Sequence, residues 1–262
     1  MRMARLSLVI NSLDQAATSA CATYLEIADR RAPGLVEGLY LQGSIALGDY
    51  QAGVSDIDFV AVTSSTPDPG QVRAIHGQLR RHGRKPFFDG LYVSRDELRS
   101  DPATLPGGIA VHEWRVKTAS PFERNLVTWH VLAQAGVAVR GPAVDKLDIY
   151  TDWQALAQAT RRNLDEFWVP WAAQAAWSPA GLTAWGTTWG VLGVARLRHT
   201  LAAARITTKT EAAAYATATY DQRWHPIIQE ALRIRVGGPP VYRNPLRRRA
   251  DMLGFMREAL RG

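Results

Sequence analysis

The sequence predicts an α+β protein: a mixed sheet with its helices in residues 1–147, followed by an all-α helical bundle in residues 148–262. Three observations predict it. Short apolar runs rich in β-formers, Val36 to Leu41 and Ile57 to Val62, are bounded by Gly, Ser and Asp, as buried strands are. From about residue 148 the texture changes, with Ala, Leu and Trp recurring at helical spacing and no β-branched alternation. A length of 262 residues is also enough for two ordinary domains, each with a core of its own.

The elements follow in order. "NSLDQAATSACATYLEIADRRAPG" opens on the capping candidates Asn11 and Ser12, keeps a helical apolar spacing and ends at Pro-Gly, which predicts a first helix. A turn region separates the two strands. After "SSTPDPG", residues 70–82 read as a helix and "KPFFDGLYV" as a third strand. Residues 94–110 read as a loop-rich excursion, about 120–135 as another helix, and "VAVRGP" as a last short apolar run. In the second half, Trp168, Trp171, Trp177, Trp185 and Trp189 are expected mostly as inter-helix packing, with one or two free to line a pocket beside a flat ligand. The basic tail "RNPLRRRADMLGFMREALRG" has apolar residues at mixed helical spacing and reads as a closing helix with a basic outer face.

Composition narrows the function. With 47% hydrophobic and 21% charged residues the chain is a folded, globular one. The single Cys21 cannot form an intrachain disulfide, and the six histidines show no zinc-ligand spacing, which fits a reducing cytoplasm. The Leu6 to Ile10 run is too short and too soon interrupted for a signal peptide, and no eighteen apolar residues run together, so no membrane partner is expected. A soluble, monomeric protein is the expectation. The net charge of +7 is nearly all arginine and is compatible with a polyanionic partner. No long Lys/Arg run with interleaved aromatics precedes the tail, however, so a solvated basic surface is favoured over nucleic acid.

The chemistry is concentrated in "LYLQGSIALGDYQAGVSDIDFVAV". Residues i and i+2 of a strand share a face, so Asp56 and Asp58 project together while Ile57 and Phe59 point away. Adjacent carboxylates repel unless a cation lies between them. A hard divalent ion such as Mg²⁺, which takes oxygen ligands and keeps positions for phosphate oxygens, suits the pair. Gly43 lets the backbone approach a ligand closely, and Ser44 with its amide is a candidate for a phosphate oxygen. Asp89 lies inside the third strand, where a charge is costly without a purpose. If that strand neighbours the Asp56 strand, three carboxylates converge, and Asp89 can share metal or take a proton from an attacking hydroxyl. Asp-x-Asp alone is more often a loop or helix cap; the full arrangement of strand, Gly-Ser, Asp-Ile-Asp and a further acidic strand is what points to a site.

"GS…SDIDFVAV" resembles the signature of the DNA polymerase β-type nucleotidyltransferase superfamily. Most of the chain resembles, more closely, the aminoglycoside adenylyltransferases that modify streptomycin and spectinomycin, with an N-terminal nucleotidyltransferase domain and a C-terminal helical domain. "LAQAGVAVRGPAVDKL" is similar to the stretch closing the family's first domain, "VARLRHTLAAARITTKTEAAAYA" to a helix and turn whose Arg and Lys touch the ATP phosphates, and "RWHPIIQEALRIRVG" to the helix that follows. The resemblance implies AMP transfer from Mg²⁺·ATP to a hydroxyl of a small molecule, with pyrophosphate leaving. Asp56 and Asp58 hold metal, Asp89 shares it or acts as general base where the family commonly has Glu, and Arg196 and Lys209 meet the phosphates. Trp114 matches a Trp of the family's substrate cleft, Trp177 matches the C-terminal-domain Trp of streptomycin acceptors, and Glu113 is a further candidate contact. A site between the two domains, with ATP binding first, is the expected arrangement.

The chain departs from the family on the acceptor side. Residues 175–200 contain no Asp or Glu to meet a polycationic drug, and a +7 protein repels one, which favours an acceptor such as spectinomycin over streptomycin. Two rival readings stand beside this one: nucleotidyl transfer to RNA or to a protein hydroxyl, and a catalytically silent nucleotide-binding module. The presence of all three carboxylates argues against the silent module.

Overall fold

The computed structural model describes residues 14–121 and 123–262; the Leu6 to Ile10 run and the capping candidates Asn11 and Ser12 lie outside them. Two compact units divide at Asp152/Trp153. The chain is α+β, with the sheet confined to the first unit and helices filling the second.

The first helix, α1 (Gln15–Arg31), is capped by the Asp14 carboxylate, which accepts from the Ala16 amide. β1 (Val36–Leu41), a single short turn α2 (Gly43–Ala46) and β2 (Ile57–Thr63) follow. α3 (Pro69–His82) starts at Asp68, whose carboxylate accepts from Gln71, with Pro69 in the first turn, where its missing amide costs nothing. It carries the chain across to β3 (Phe88–Val93), which lies parallel to β2, as a strand–helix–strand crossover does. The sheet has the order β5-β4-β3-β2-β1-β6, with every neighbouring pair except β2–β3 antiparallel.

Residues 94–110, expected as a loop-rich excursion, are more ordered than that. A capping box of Ser94 and Glu97 starts α4 (Arg95–Arg99), and β4 (Gly108–His112) turns through Glu113 and Trp114 into β5 (Arg115–Ser120). This hairpin escaped the sequence reading because β5 is a mostly exposed edge strand, and because its turn uses Glu113 and Trp114 at positive φ (49° and 64°) instead of the usual Asn or Gly. The helix expected over about 120–135 begins later, as α5 (Leu126–Ala135) behind the Asn125 cap, and "VAVRGP" provides β6 (Val137–Arg140) at the β1 edge.

Strand alternation sorts the sheet into two faces. Leu39, Leu41, Ile57, Phe59 and Phe88 join α1 and α3 in one core, where Phe59 and Phe88 stack 4.7 Å apart. Tyr40, Val60, Leu91 and Val93 pack on the other face with Trp129 and Leu132 of α5. Apolar cores on both sides of β2 and β3 fix their register firmly, because a one-residue slip would exchange the faces.

The second unit contains α6 (Trp153–Asn163), a π-helical turn at Leu164–Trp168, α7 (Val169–Ala175), α8 (Ala184–Ala203), α9 (Lys209–Thr219), α10 (His225–Val236) and α11 (Pro245–Arg261). α8 is central: Val191, Leu192, Val194 and Ala195 are fully buried among the inward faces of α9, α10 and α11. Gly190 and Gly193 on α8 leave room for the rings of Trp171 and Trp168. Trp168 is thus core, as expected of most of the tryptophans, whereas Trp185 lies stacked on Trp189 with 60% of its surface exposed.

Candidate active site

The carboxylate edge is built by β1, β2 and β3. In the parallel β2–β3 pair Asp58 is the register partner of Asp89, so the two project from the same face at neighbouring positions. Phe59 and Phe88, the residues beside them, point into the α1–α3 core. Asp56 precedes β2 and is presented by a closed turn in which the Ser55 hydroxyl accepts from the Gln51 amide and the Ser55 amide donates to the Gln51 carbonyl. Asp56 and Asp58 are half-buried, and Asp89 is buried.

Gly43 completes the edge. The Gln42 amide donates to the Asp58 carbonyl at 2.9 Å, which lays the chain after β1 across the start of β2. Gly43 then takes φ 63°, and a Cβ built there would run into the Asp58 carboxylate. A side chain is therefore excluded from the space over Asp58 on both conformational and steric grounds. Ser44 follows in α2, and its carbonyl accepts from the Asp49 amide at 2.8 Å, which folds the segment back on itself.

The acidity of Asp89 is altered by its surroundings. Burial pushes its carboxyl up to about 6, aided by the negative charges of Asp56 and Glu113 and opposed by the Glu113 amide and by His112. The Glu113 amide donates to Asp89 Oδ1 at 2.9 Å, so the β4–β5 turn holds this carboxylate in place. Glu123, which the sequence reading did not single out, is also pushed up, by burial first and then by the Asp89 charge. "SPFERNL" has no local pattern that marks it, and only the fold brings it to Asp89.

The two halves of the hairpin turn serve different sides of the sheet. Glu113 reaches Asp89 through its amide, while the Trp114 ring packs against the α1–α3 core, meets Phe87 edge-on at 6.1 Å and donates from its indole N–H to the Arg84 carbonyl at 3.1 Å. In the second unit, Arg196 lies on α8 and Lys209 is the first residue of α9. The segment between them is tied back to α8: the Thr207 hydroxyl contacts the Arg196 carbonyl at 3.4 Å and the Thr200 hydroxyl at 3.2 Å. A capping box of Thr208 and Glu211, with Glu211 also paired to Arg205, fixes the start of α9. Trp177 is 90% exposed in the turn after α7.

Among the described residues, no three His, Cys, Asp or Glu side chains are grouped so as to hold a metal on their own. Two half-buried carboxylates, one of them lying directly against the Gly43 backbone, nonetheless suit Mg²⁺, which keeps most of its positions for water and phosphate oxygens and is bound by one or two carboxylates.

Two family models match the chain. Residues 21–127 match the nucleotidyltransferase domain, and residues 171–253 match the C-terminal domain of aminoglycoside adenylyltransferase. Among solved structures the chain is similar to spectinomycin adenyltransferase AAD(9) from Enterococcus faecialis, determined with ATP and spectinomycin. The TM-score is 0.72 at 13% identity, covering 93% of this chain and 99% of that one, a likeness of fold. No curated protein matches the chain.

Proposed function

We propose, for a chain that belongs to the nucleotidyltransferase superfamily and carries the C-terminal domain of the aminoglycoside adenylyltransferases, that this enzyme transfers AMP from ATP to a hydroxyl of an aminoglycoside or aminocyclitol such as spectinomycin. The observation that carries the reading is the pairing of Asp58 with Asp89 in one register, under a backbone cleared of side chain at Gly43.

The roles follow from position. Asp56 and Asp58 would hold Mg²⁺; when bound, the ion would neutralise phosphate charge and favour in-line geometry. Asp89, with its raised proton affinity, takes the proton of the acceptor hydroxyl as the oxygen bonds to the α-phosphorus and the bond to pyrophosphate breaks. Gly43 lets the Asp58 carboxylate lie directly against the backbone, and the Ser44 segment that follows would meet phosphate oxygens. Arg196 and Lys209 stabilise the departing pyrophosphate. On the acceptor side, Glu113 is the candidate best supported by its place beside Asp89, since Trp114 packs its ring under the neighbouring loop; Trp177 offers an exposed indole face. Among the described residues no helix is long and apolar enough to cross a membrane.

The test is pyrophosphate release by purified protein with Mg²⁺·ATP and spectinomycin, streptomycin or no acceptor, with Asp58→Asn as the control. Acceptor-dependent release, strongest with spectinomycin and lost in Asp58→Asn, is the expected result. Release that survives Asp58→Asn, or that no aminoglycoside or aminocyclitol stimulates, sinks the proposal.

A further inference from the structure

The Asp56 carboxylate already has a cation beside it. Lys85 Nζ lies 3.7 Å from Asp56 Oδ1, with the two side chains 63% and 40% exposed. A surface pair of this kind is weak by itself. What sets Lys85 apart is its support: its ammonium sits 3.4 Å from the centroid of the Phe87 ring, Phe87 meets Trp114 edge-on, and the Trp114 indole N–H is tied to the Arg84 carbonyl. Loop 84–87 and Trp114 thus form a closed brace that aims one positive charge at Asp56.

The residue type fits a charge that must leave. Arg80, Arg81 and Arg84 precede it in sequence, and the chain as a whole strongly prefers Arg. A guanidinium would lock onto a carboxylate through its planar fork, whereas an ammonium is a compact point charge on a flexible stem. An exposed cation–π contact keeps such a charge in place without trapping it.

We infer that Lys85 is a positioning residue that exchanges with the divalent cation at Asp56: in the nucleotide-free protein its ammonium holds this carboxylate, and when the metal nucleotide arrives it turns to the triphosphate oxygens. The inference rests on the reading of Asp56 as a cation-holding carboxylate. It also gives Trp114 a task within the first unit, the support of the Lys85 loop through Phe87.

The two halves of the exchange predict opposite effects of one substitution. In Lys85→Met, Mn²⁺ titrated by electron paramagnetic resonance without nucleotide binds more tightly, by about two- to fivefold, the scale of one exposed ion pair. Mg²⁺·ATP measured by calorimetry binds more weakly, by about three- to tenfold, the scale of one solvent-exposed hydrogen bond. Lys85→Arg keeps the charge but locks onto Asp56 through its planar fork, so it binds nucleotide-free Mn²⁺ no more tightly than the parent. General damage to the loop would weaken both ligands, so two changes in the same direction, a change in only one, or no change overturns the inference. Asp56→Asn separates the premise from the exchange. If it leaves Mn²⁺ binding intact, the reading of Asp56 itself fails; if it abolishes binding while Lys85→Met is silent, only the role of Lys85 falls.

Discussion

Asp58 and Asp89 are register partners on adjacent parallel strands; Asp58 is half-buried, and Asp89 is buried with its carboxyl pushed up to about 6. Two like groups in one row have been given unlike surroundings. Asp58 opens toward Gly43 and is half-buried, while Asp89 is closed over by the β4–β5 turn and the Glu123 carboxyl. The proposed division of labour, Asp58 toward a cation and Asp89 toward a proton, needs unlike surroundings of this kind.

Asp58→Asn keeps the shape of the strand and removes the charge. Adenylyl transfer should fall by roughly two to four orders of magnitude, as for loss of a metal-binding or electrostatic group. The side chain keeps its size, so the variant is expected to fold as the parent does. A stable variant with near-parental turnover in the pyrophosphate assay would take Asp58 out of the mechanism.

Gly43→Ala is the smallest change that tests the cleared space. The added Cβ meets the Asp58 carboxylate and must also adopt φ 63°, which costs an L-residue about 1–2 kcal/mol. The carboxylate is the flexible party and gives way. The expected result is a loss of activity of about a hundredfold or more, with a modest fall in Tm. Stability loss without activity loss would show that the space over Asp58 is structural.

Asp89 makes the pH dependence specific. As a base it must be ionised, so kcat/KM should rise with pH through an acid limb near 6. Stability runs the other way. A carboxyl with a folded pKa of about 6 and an unfolded pKa near 3.9 contributes most below the unfolded value, and that contribution is lost as pH rises from about 4 to 6. Asp89→Asn should therefore be nearly inactive yet more stable than the parent at pH 8, by on the order of 2 kcal/mol, with little difference at pH 4. Equal gains at both pH values would mean that the buried charge is not the cause.

Much of this edge could be read from the sequence because its signals are local. Asp56, Asp58 and the Gly-Ser pair sit at the ends of two apolar runs, and the alternation that buries Phe59 also fixes where Asp58 points. The helical second half was equally open, since α8 to α11 carry their apolar residues at helical spacing. What could not be read depends on long-range neighbours. The β4–β5 hairpin has an exposed edge strand and a turn without Gly, and the approach of Glu123 to Asp89 and of Lys85 to Asp56 exists only once the sheet is assembled. The same limit applies to Trp114, whose ring faces the α1–α3 core although its neighbour Glu113 reaches Asp89.

Arg196 and Lys209 offer the last test, and their local architecture shapes it. Lys209 opens α9 at a start fixed by the Thr208–Glu211 capping box, and Thr207 ties the preceding segment to the Arg196 carbonyl and to Thr200. Both cations are half-buried, so the Tm of each Ala variant is compared with the parent before its kinetics are read. If they meet the departing pyrophosphate, each replacement should lower kcat/KM for ATP by about ten- to a hundredfold and weaken inhibition by pyrophosphate in parallel. Thr207→Val gives the complementary case: it keeps both charges but loosens the tie, so it should cost about 1 kcal/mol of stability and a smaller share of the pyrophosphate effect. Ala variants that bind pyrophosphate as the parent does would leave these two residues with a structural role in the helical unit and move the search for phosphate contacts back to the Gly43–Ser44 edge.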